Sequence, residues 1–474
     1  MPERYHIHTL PVPARFRRVG KFGNVDWRED CSRCTNCVKH RCCYDVYKNE
    51  SAYNRDPLAP VETLDGCKAC LSCVQGCTKG LLNVSVNPEF LDIGDDYWKP
   101  DILLTTWNQS DSGRIPVSGA GYRGRFHGPG FDSMWTDMSE IVRPTRDGIH
   151  GREYISTSVD IGPKPMRLTF TPDGRMLTPP SRLLEIQVPA ILDLPAWPVG
   201  GGGLAHARAA AAKELMTLAV MPAADAAGLP PELLPFVTPI VGGDDIEKSV
   251  DLLQAVEMAQ VRESPDVAEL AGKLRSAHVR LTVAARLPLR PVTAGRVIEL
   301  ARAGIKVFHL CADLHGRERL DDGRPGRHVR DVLREVHGRL VKEGLRDEIT
   351  LIVSGGIALA EHMAKAIICG ADLVGVDTPL LVALGCRVCR DAQAGCSDDS
   401  CPAEIGLAEG GYAAQRMINL MGAWHDQLIE VLGAMGIREV RRLRGEVGRA
   451  IFMEDIEKEA FGDIVRVPQA QVRI

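Results

Sequence analysis

The chain has 474 residues, 45% of them hydrophobic, and a formal net charge of −5. That is too long for one small domain and apolar enough for a large core. No basic stripe with interleaved aromatics occurs and no apolar run reaches about 18 residues, which argues against nucleic acid as a partner and against a membrane-spanning helix.

The first 20 residues contain no apolar signal-peptide core, so a cytoplasmic location is expected. In that compartment the 15 cysteines read as metal ligands rather than disulfides. Residues 1–26 look extended, because Pro11 and Pro13 discourage helix. Residues 1–95 read as an iron–sulfur domain of ferredoxin type. Its cysteines run Cys31, Cys34, Cys37, then Cys42 and Cys43, then Cys67, Cys70, Cys73 and Cys77. Thiolates at two-residue gaps suit the corners of an iron–sulfur cube, whereas zinc favours pairs separated by longer gaps. In two-cluster ferredoxins the last cysteine of each run serves the other cluster. One [4Fe–4S] cluster then takes Cys31, Cys34, Cys37 and Cys77. The second takes Cys67, Cys70, Cys73 and one of Cys42 or Cys43, with Cys42 preferred. The usual x3 spacing would land on Arg41, which cannot ligate, and Thr78 stands where proline is usual. Residues 44–66 form a charged loop.

Residues 96–187 are a Gly- and Pro-rich connector whose Trp98, Trp107, Phe131 and Trp135 call for burial. The Gly119-x-Gly121-x-x-Gly124 match lacks the strand and helix that a dinucleotide fingerprint needs, and reads as a turn. Residues 166–171 alternate like a strand, and Asp173-Gly174 would turn it into a hairpin.

From 188 to 385 strands and helices alternate. The strands fall at 190–197, 217–222, 237–241, 256–261, 279–285, 306–312, 349–354 and 372–377. Helical patterns lie between them at Ala205–Leu215, Asp245–Gln254, Asp266–Ala277, Thr293–Ala303, 326–344 and 358–369. Eight such repeats give an α/β fold, a (β/α)8 barrel, with a doubly wound sheet as the alternative. A third cysteine group, Cys386, Cys389, Cys396 and Cys401, occupies 386–405. It reads as another iron–sulfur cluster, with zinc the competing reading. Residues 406–474 form a helical extension and tail. Met417, Leu420, Met421, Trp424, Leu428 and Leu432 line one helical face, and the basic run Arg438–Arg449 reads as a solvated helix.

A barrel places its site at the carboxyl ends of its strands. Ser354-Gly355-Gly356-Ile357 after strand seven would expose backbone N–H groups to a phosphate, beside Gly375, Asp377 and Thr378 after strand eight. Arg286 on strand five would hold an anion. His309, Cys311, Asp313 and His315 on and after strand six are weaker candidates for proton handling.

Residues 349–402 resemble the flavin-binding domain of glutamate synthases. The residues concerned are Ser354-Gly355-Gly356-Ile357, Gly370-Ala371-Asp372, Ala383-Leu384-Gly385-Cys386 and Cys401-Pro402. The order of ferredoxin unit and barrel is similar to short archaeal-type members. The resemblance implies FMN, its phosphate on strands seven and eight, and a [3Fe–4S] or [4Fe–4S] cluster on the third cysteine group. It also implies an oxidoreductase passing electrons between clusters and flavin, with a redox partner or partner subunits. The alternatives are an electron-relay subunit with an altered flavin site, or a ferredoxin-dependent glutamate synthase taking ammonia from a partner. Departures are plain. Cys386 and Cys396 stand further apart than in the family, Cys389 is additional, and Asp377-Thr378 replaces Gly-Thr. The family's oxo-acid segment has no counterpart between 200 and 280. Arg286 stands near the family's lysine position on strand five.

Overall fold

The computed structural model describes residues 5–27, 31, 34, 36, 40–43, 70–115, 128–136, 155–164, 168–177, 182–194, 197, 202–389, 405 and 410–462. Its centre is a closed barrel of eight parallel strands: Ala190–Leu192, Ala219–Pro222, Val237–Val241, Met258–Arg262, Thr282–Pro288, Val307–Cys311, Thr350–Ser354 and Leu373–Val376. Each strand pairs with the next in sequence. Strand eight closes the ring on strand one, with Val374 opposite Ala190 and Val376 opposite Leu192. The expected barrel is therefore the fold, and a doubly wound sheet is excluded. The strands are apolar runs rather than alternating ones because side chains face packed layers on both sides. All five residues of Thr350–Ser354 are buried.

Helices cover the outside. Val329–Lys342 shows why. His328 caps it by accepting the Arg330 N–H, and Val329, Val332, Leu333, Val336 and Leu340 lie along one buried face. Gly344, at φ 68°, releases the chain after it. The segment expected as one helix over 245–254 is broken instead. A short turn, Gly243–Ile246, is followed by Glu247–Ser249 and then Val250–Ala255.

The Met and Trp stripe lies on the 25-residue helix Gly410–Ala434, and Met417, Leu420, Met421, Trp424 and Leu432 are wholly buried there. It packs against the helices Gly202–Glu214, Pro100–Ser112 and Ala360–Ile368. Arg416 on the same helix is also fully buried. Its guanidinium donates to the Ala383 and Val12 carbonyls and pairs with Asp111 at 2.6 Å. Asn419 donates to the carbonyls of Leu10 and Ser110 and accepts the Leu10 N–H. Residues 7–20, extended as expected, are thereby strapped along the helix.

The basic run after this helix is not a solvated helix. It forms two short 3-10 turns, Val440–Leu443 and Val447–Arg449, and its arginines reach back to fixed acids. Arg441 pairs with Asp160 at 2.9 Å, and Arg444 with Asp347 and Asp372 at 3.1 and 3.2 Å. Asp372, at the foot of strand eight, also takes Arg346 at 2.8 Å, Lys164 at 3.2 Å and the Leu351 N–H. The strand Ala450–Phe452 then pairs with Met134–Thr136, and the helix Met453–Phe461 follows.

In the connector, Trp98, Trp107 and Phe131 are buried, whereas Trp135 is 43% exposed because it faces outward on that two-stranded edge opposite Ile451. The expected hairpin at Asp173-Gly174 is a tight turn with a single bridge, Phe170 to Met176. At the amino-terminal end, Phe22–Trp27 pairs antiparallel with Leu82–Val86, following the short helix Ser72–Gln75. The loop 44–66 and the Gly119–Gly124 match lie outside the described residues.

Candidate active site at the barrel mouth

Strand one ends at Asp193, strand four carries Gln260, strand five Arg286, strand six His309 and Cys311, and strand seven Ser354. Their side chains meet at the carboxyl end of the barrel. Arg286 grips Asp193 bidentately, Nη1 to Oδ1 at 2.9 Å and Nη2 to Oδ2 at 3.1 Å. Its Nη1 also donates to Gln260 Oε1 at 3.1 Å and lies 3.0 Å from His309 Nδ1, which is itself 3.1 Å from Gln260 Oε1. The other ring nitrogen, Nε2, pairs with Ser354 Oγ at 3.1 Å.

Burial pushes His309 down to about 3, so the ring is neutral. Burial alone would raise the Asp193 carboxyl, but the charge and hydrogen bonds of Arg286, with His309 and the Leu194 N–H, together outweigh it and hold Asp193 well below the usual carboxylate range. Cys311 is pushed up to about 11 by burial, so its thiol stays protonated. Ligand atoms of Asp193, His309 and Cys311 all lie within 4.8 Å of one another. The Arg286 guanidinium already occupies Asp193 and His309 Nδ1, so this trio is an ion-pair network and not a cation site.

The strand-seven turn is tightly built. Gly355 and Gly356 have φ of 92° and 70°, a region other residues avoid. A Cβ on Gly355 would lie 2.6 Å from the Asp313 carbonyl oxygen, and one on Gly356 2.6 Å from Gly316 Cα. Across the mouth, a Cβ on Gly375 would meet Ser354 Cβ at 2.9 Å and His309 Nε2 at 3.2 Å. Asp377 caps the helix Thr378–Ala383 through the Thr378 N–H at 2.5 Å. Burial, then the neighbouring Asp193 charge, raises the Asp377 carboxyl to about 7. Thr378 Oγ1 and Gln260 Nε2 are buried without a hydrogen-bond partner.

Asp313 and His315 do not join this network. Asp313 Oδ1 accepts the N–H groups of His315 and Arg317 and shapes its own loop. His315 Nε2 lies 2.7 Å from Asp95. The hydrogen bond to Asp95 raises the imidazole above its ordinary value, against an opposing effect of burial. His315 and Asp95 line a cavity of about 340 Å³ with Tyr97, Leu314, Val388 and Cys389. The Tyr97 hydroxyl donates to the Gly356 carbonyl at 2.6 Å, and Trp98 Nε1 donates to that of Leu314 at 2.9 Å. The connector thus ties the strand-six and strand-seven loops to one another beside Val388 and Cys389.

Of that group, Cys386 is buried and accepts the Val388 N–H at 3.4 Å, Cys389 is exposed, and Cys396 and Cys401 lie outside the described residues. Of the amino-terminal ligands, Cys37 and Cys67 lie outside them too. Cys77 accepts the Leu81 N–H at 3.4 Å, and such backbone bonds lower its thiol. Cys43 Sγ lies 3.6 Å from Cys70 Sγ, and Cys42 is near enough for its charge to act on the Cys70 thiol.

Asp193 and Gln260 were not singled out from the sequence. Their signal was there: Asp193 directly follows the apolar strand Ala190–Leu192, and Gln260 is a buried polar residue in the middle of Met258–Arg262.

The conserved region of glutamate synthase matches residues 324–438. The archaeal glutamate synthase [NADPH] of Archaeoglobus fulgidus is 25% identical over 97% of this chain and 98% of its own. The archaeal-type glutamate synthase [NADPH] of Dehalococcoides mccartyi is 23% identical over 89% of this chain and 93% of its own. Among solved structures, the flavin-binding domain of baker's yeast flavocytochrome b2 aligns with 80% of this chain and 86% of its own at 13% identity, with a TM-score of 0.40. Along most of its length the chain is similar to archaeal-type glutamate synthases, and over residues 324–438 to the conserved glutamate synthase region.

Proposed function

We propose that this chain is an iron–sulfur oxidoreductase of the glutamate synthase-like type, acting within a larger redox complex. Two [4Fe–4S] clusters sit on the amino-terminal cysteines and a third cluster on Cys386, Cys389, Cys396 and Cys401. Together they pass single electrons toward the barrel mouth. Cys43 is as well placed as Cys42 to complete the second cluster. The observation that carries the reading is the cavity shared by Cys389 and Tyr97, since Tyr97 itself bonds Gly356 in the strand-seven turn. Cys389, one of the four proposed ligands, thereby lies beside the loops where a flavin would sit.

FMN fits the residues at this mouth, with one departure. The unpartnered Thr378 Oγ1 and Gln260 Nε2 are buried polar atoms that a bound group would satisfy. Ser354, Gly355, Gly356 and Thr378 would hold the phosphate, with Gly375 leaving room beside them. Gln260 and Arg286 would face the ring. Bound there, FMN supplies the exchange between one-electron and two-electron chemistry. The chain's own part is to orient: Asp193 fixes Arg286, Arg286 and Gln260 hold His309 at Nδ1, and His309 meets Ser354 through Nε2. The departure is Asp377, whose ionised form would repel a phosphate and whose protonated form would not.

A second reading follows from that same aspartate. If Asp377 is ionised on the Thr378 N–H, it stands in place of the phosphate and the barrel is a relay body without flavin. The two are separated by anaerobic purification followed by iron, sulfide and flavin counts on one sample. Absorbance at about 370 and 450 nm, with FMN released on denaturation, supports the first reading. Iron and sulfide without flavin support the second. A colourless, iron-free protein defeats both.

A further inference from the structure

The barrel mouth has a second, larger opening away from the strand-seven turn. A cleft of about 910 Å³ lies over the ends of strands three to six. Leu194, Ile240, Pro265 and Leu287 give it an apolar wall, and Cys311 lies at its edge. Its lining holds five arginines and one acid, Glu263, whose Oε1 pairs with Arg296 and whose Oε2 has no hydrogen-bond partner. Arg286 is taken by Asp193, and Arg296 by Glu263 and Glu299. Arg262, Arg290 and Arg319 also line it, and their side chains make no ion pair or hydrogen bond among the described residues. These three come from the end of strand four and the loops after strands five and six. Their backbones are fixed to one another. The Glu263 N–H donates to the Arg286 carbonyl, the Arg290 N–H to Thr293 Oγ1, and the Arg319 N–H to the Leu289 carbonyl. The helix Thr293–Arg302 opens onto the same cleft at Val292 and Thr293, so its partial positive end adds to the field.

We propose that this cleft is a binding site for a phosphate-bearing small molecule of nucleotide size, separate from the strand-seven and strand-eight turn. Three unpaired guanidiniums on a rigid frame suit a ligand with several phosphate charges. The cleft is larger than a phosphate needs, and its apolar wall would cover the organic part of the ligand. The inference does not rest on flavin in the barrel.

The test is calorimetric titration of the anaerobic full chain at low salt with inorganic pyrophosphate, with citrate as a polyanion without phosphorus. Wild type should bind pyrophosphate at least tenfold more tightly than citrate. The double variant Arg290→Ala with Arg319→Ala should lose about tenfold or more in affinity at unchanged melting temperature and iron content. Arg302→Ala, which changes an arginine outside the cleft, should bind as wild type does. Equal binding by the double variant, no binding by wild type, or equal affinity for citrate overturns the proposal. Displacement of pyrophosphate by one equivalent of FMN would make the cleft the flavin's own seat and also overturns it. If the double variant melts early, Arg290→Lys with Arg319→Lys keeps the charge, and the loss should then be smaller but measurable.

Discussion

Asp377→Asn is the most informative single change at the barrel mouth. The wild-type carboxyl is buried and raised from 3.8 to about 7, first by burial and then by Asp193. At about 1.4 kcal/mol per tenfold change in proton affinity, that rise corresponds to about 4 kcal/mol. The folded chain keeps this proton until about pH 7, whereas the unfolded chain releases it near pH 4. Between those values the folded state binds more protons, so the wild type loses stability as pH rises and loses no more above the folded value. Asparagine cannot ionise, yet its Oδ1 can still accept the Thr378 N–H, so the cap survives. The variant's advantage should be about 2 kcal/mol at about pH 5.5 and approach about 4 kcal/mol at about pH 8. Urea unfolding of both proteins, side by side at the two pH values, measures this. An advantage of equal size at both pH values would show that Asp377 titrates like an ordinary carboxyl, and the account of the mouth given above would fail. If flavin is bound, its affinity for the wild type should also fall above about pH 7, and that fall should vanish in the variant.

Asp372→Asn should be strongly destabilising, by about 3 to 5 kcal/mol, because it leaves the Arg346 charge, 4% exposed, without its carboxylate. Burial would raise Asp372, but Arg346, Lys164 and Arg444 hold it below the ordinary range. Its contribution is therefore full above about pH 4 and drains away in acid, which a melting series over pH would show. Gly375→Ala should cost about 1 to 3 kcal/mol in thermal or urea unfolding, since its Cβ would meet Ser354 and His309 inside normal contact distance. Cys70→Ser should lower iron by about four atoms per chain, and Cys389→Ser by about three or four, in anaerobic metal analysis. Tyr97→Phe should cost about 1 kcal/mol and speed amide exchange at residues 313–316 and 356, because it removes the bond to the Gly356 carbonyl.

The barrel was legible because strand and helix periods are local. All eight strands lie where apolar runs end at turn residues, and the helix Thr293–Arg302 falls within its predicted span. Three things were not legible. The polar network needs residues from five strands, and no spacing in sequence brings Asp193 to Arg286 across 93 positions. The arginines after position 437 read as solvent-facing because their partners, Asp160 and Asp372, are remote in the chain. Trp135 read as buried because size argues for burial, but a two-stranded edge has an outer face. At the mouth, Arg286 and Ser354 were predicted and do meet through His309. Asp313 and His315 were grouped with them by strand alternation, but the strand ends at Cys311 and the loop carries both away.

The strap formed by residues 7–20 bears on how the molecule is made. Leu10 is held by Asn419, 409 positions later, and Val12 by Arg416. During synthesis the strap therefore emerges long before the helix that grips it. The cysteines from 31 to 77 follow the strap off the ribosome, so they are available for metallation while the barrel is still incomplete. Locking of the front segment then waits for Gly410–Ala434. A chain lacking that helix would still carry those cysteines but would lose the grip on Leu10 and Val12, leaving the front segment to contacts such as Tyr5 with Leu215 and Arg18 with Asp111.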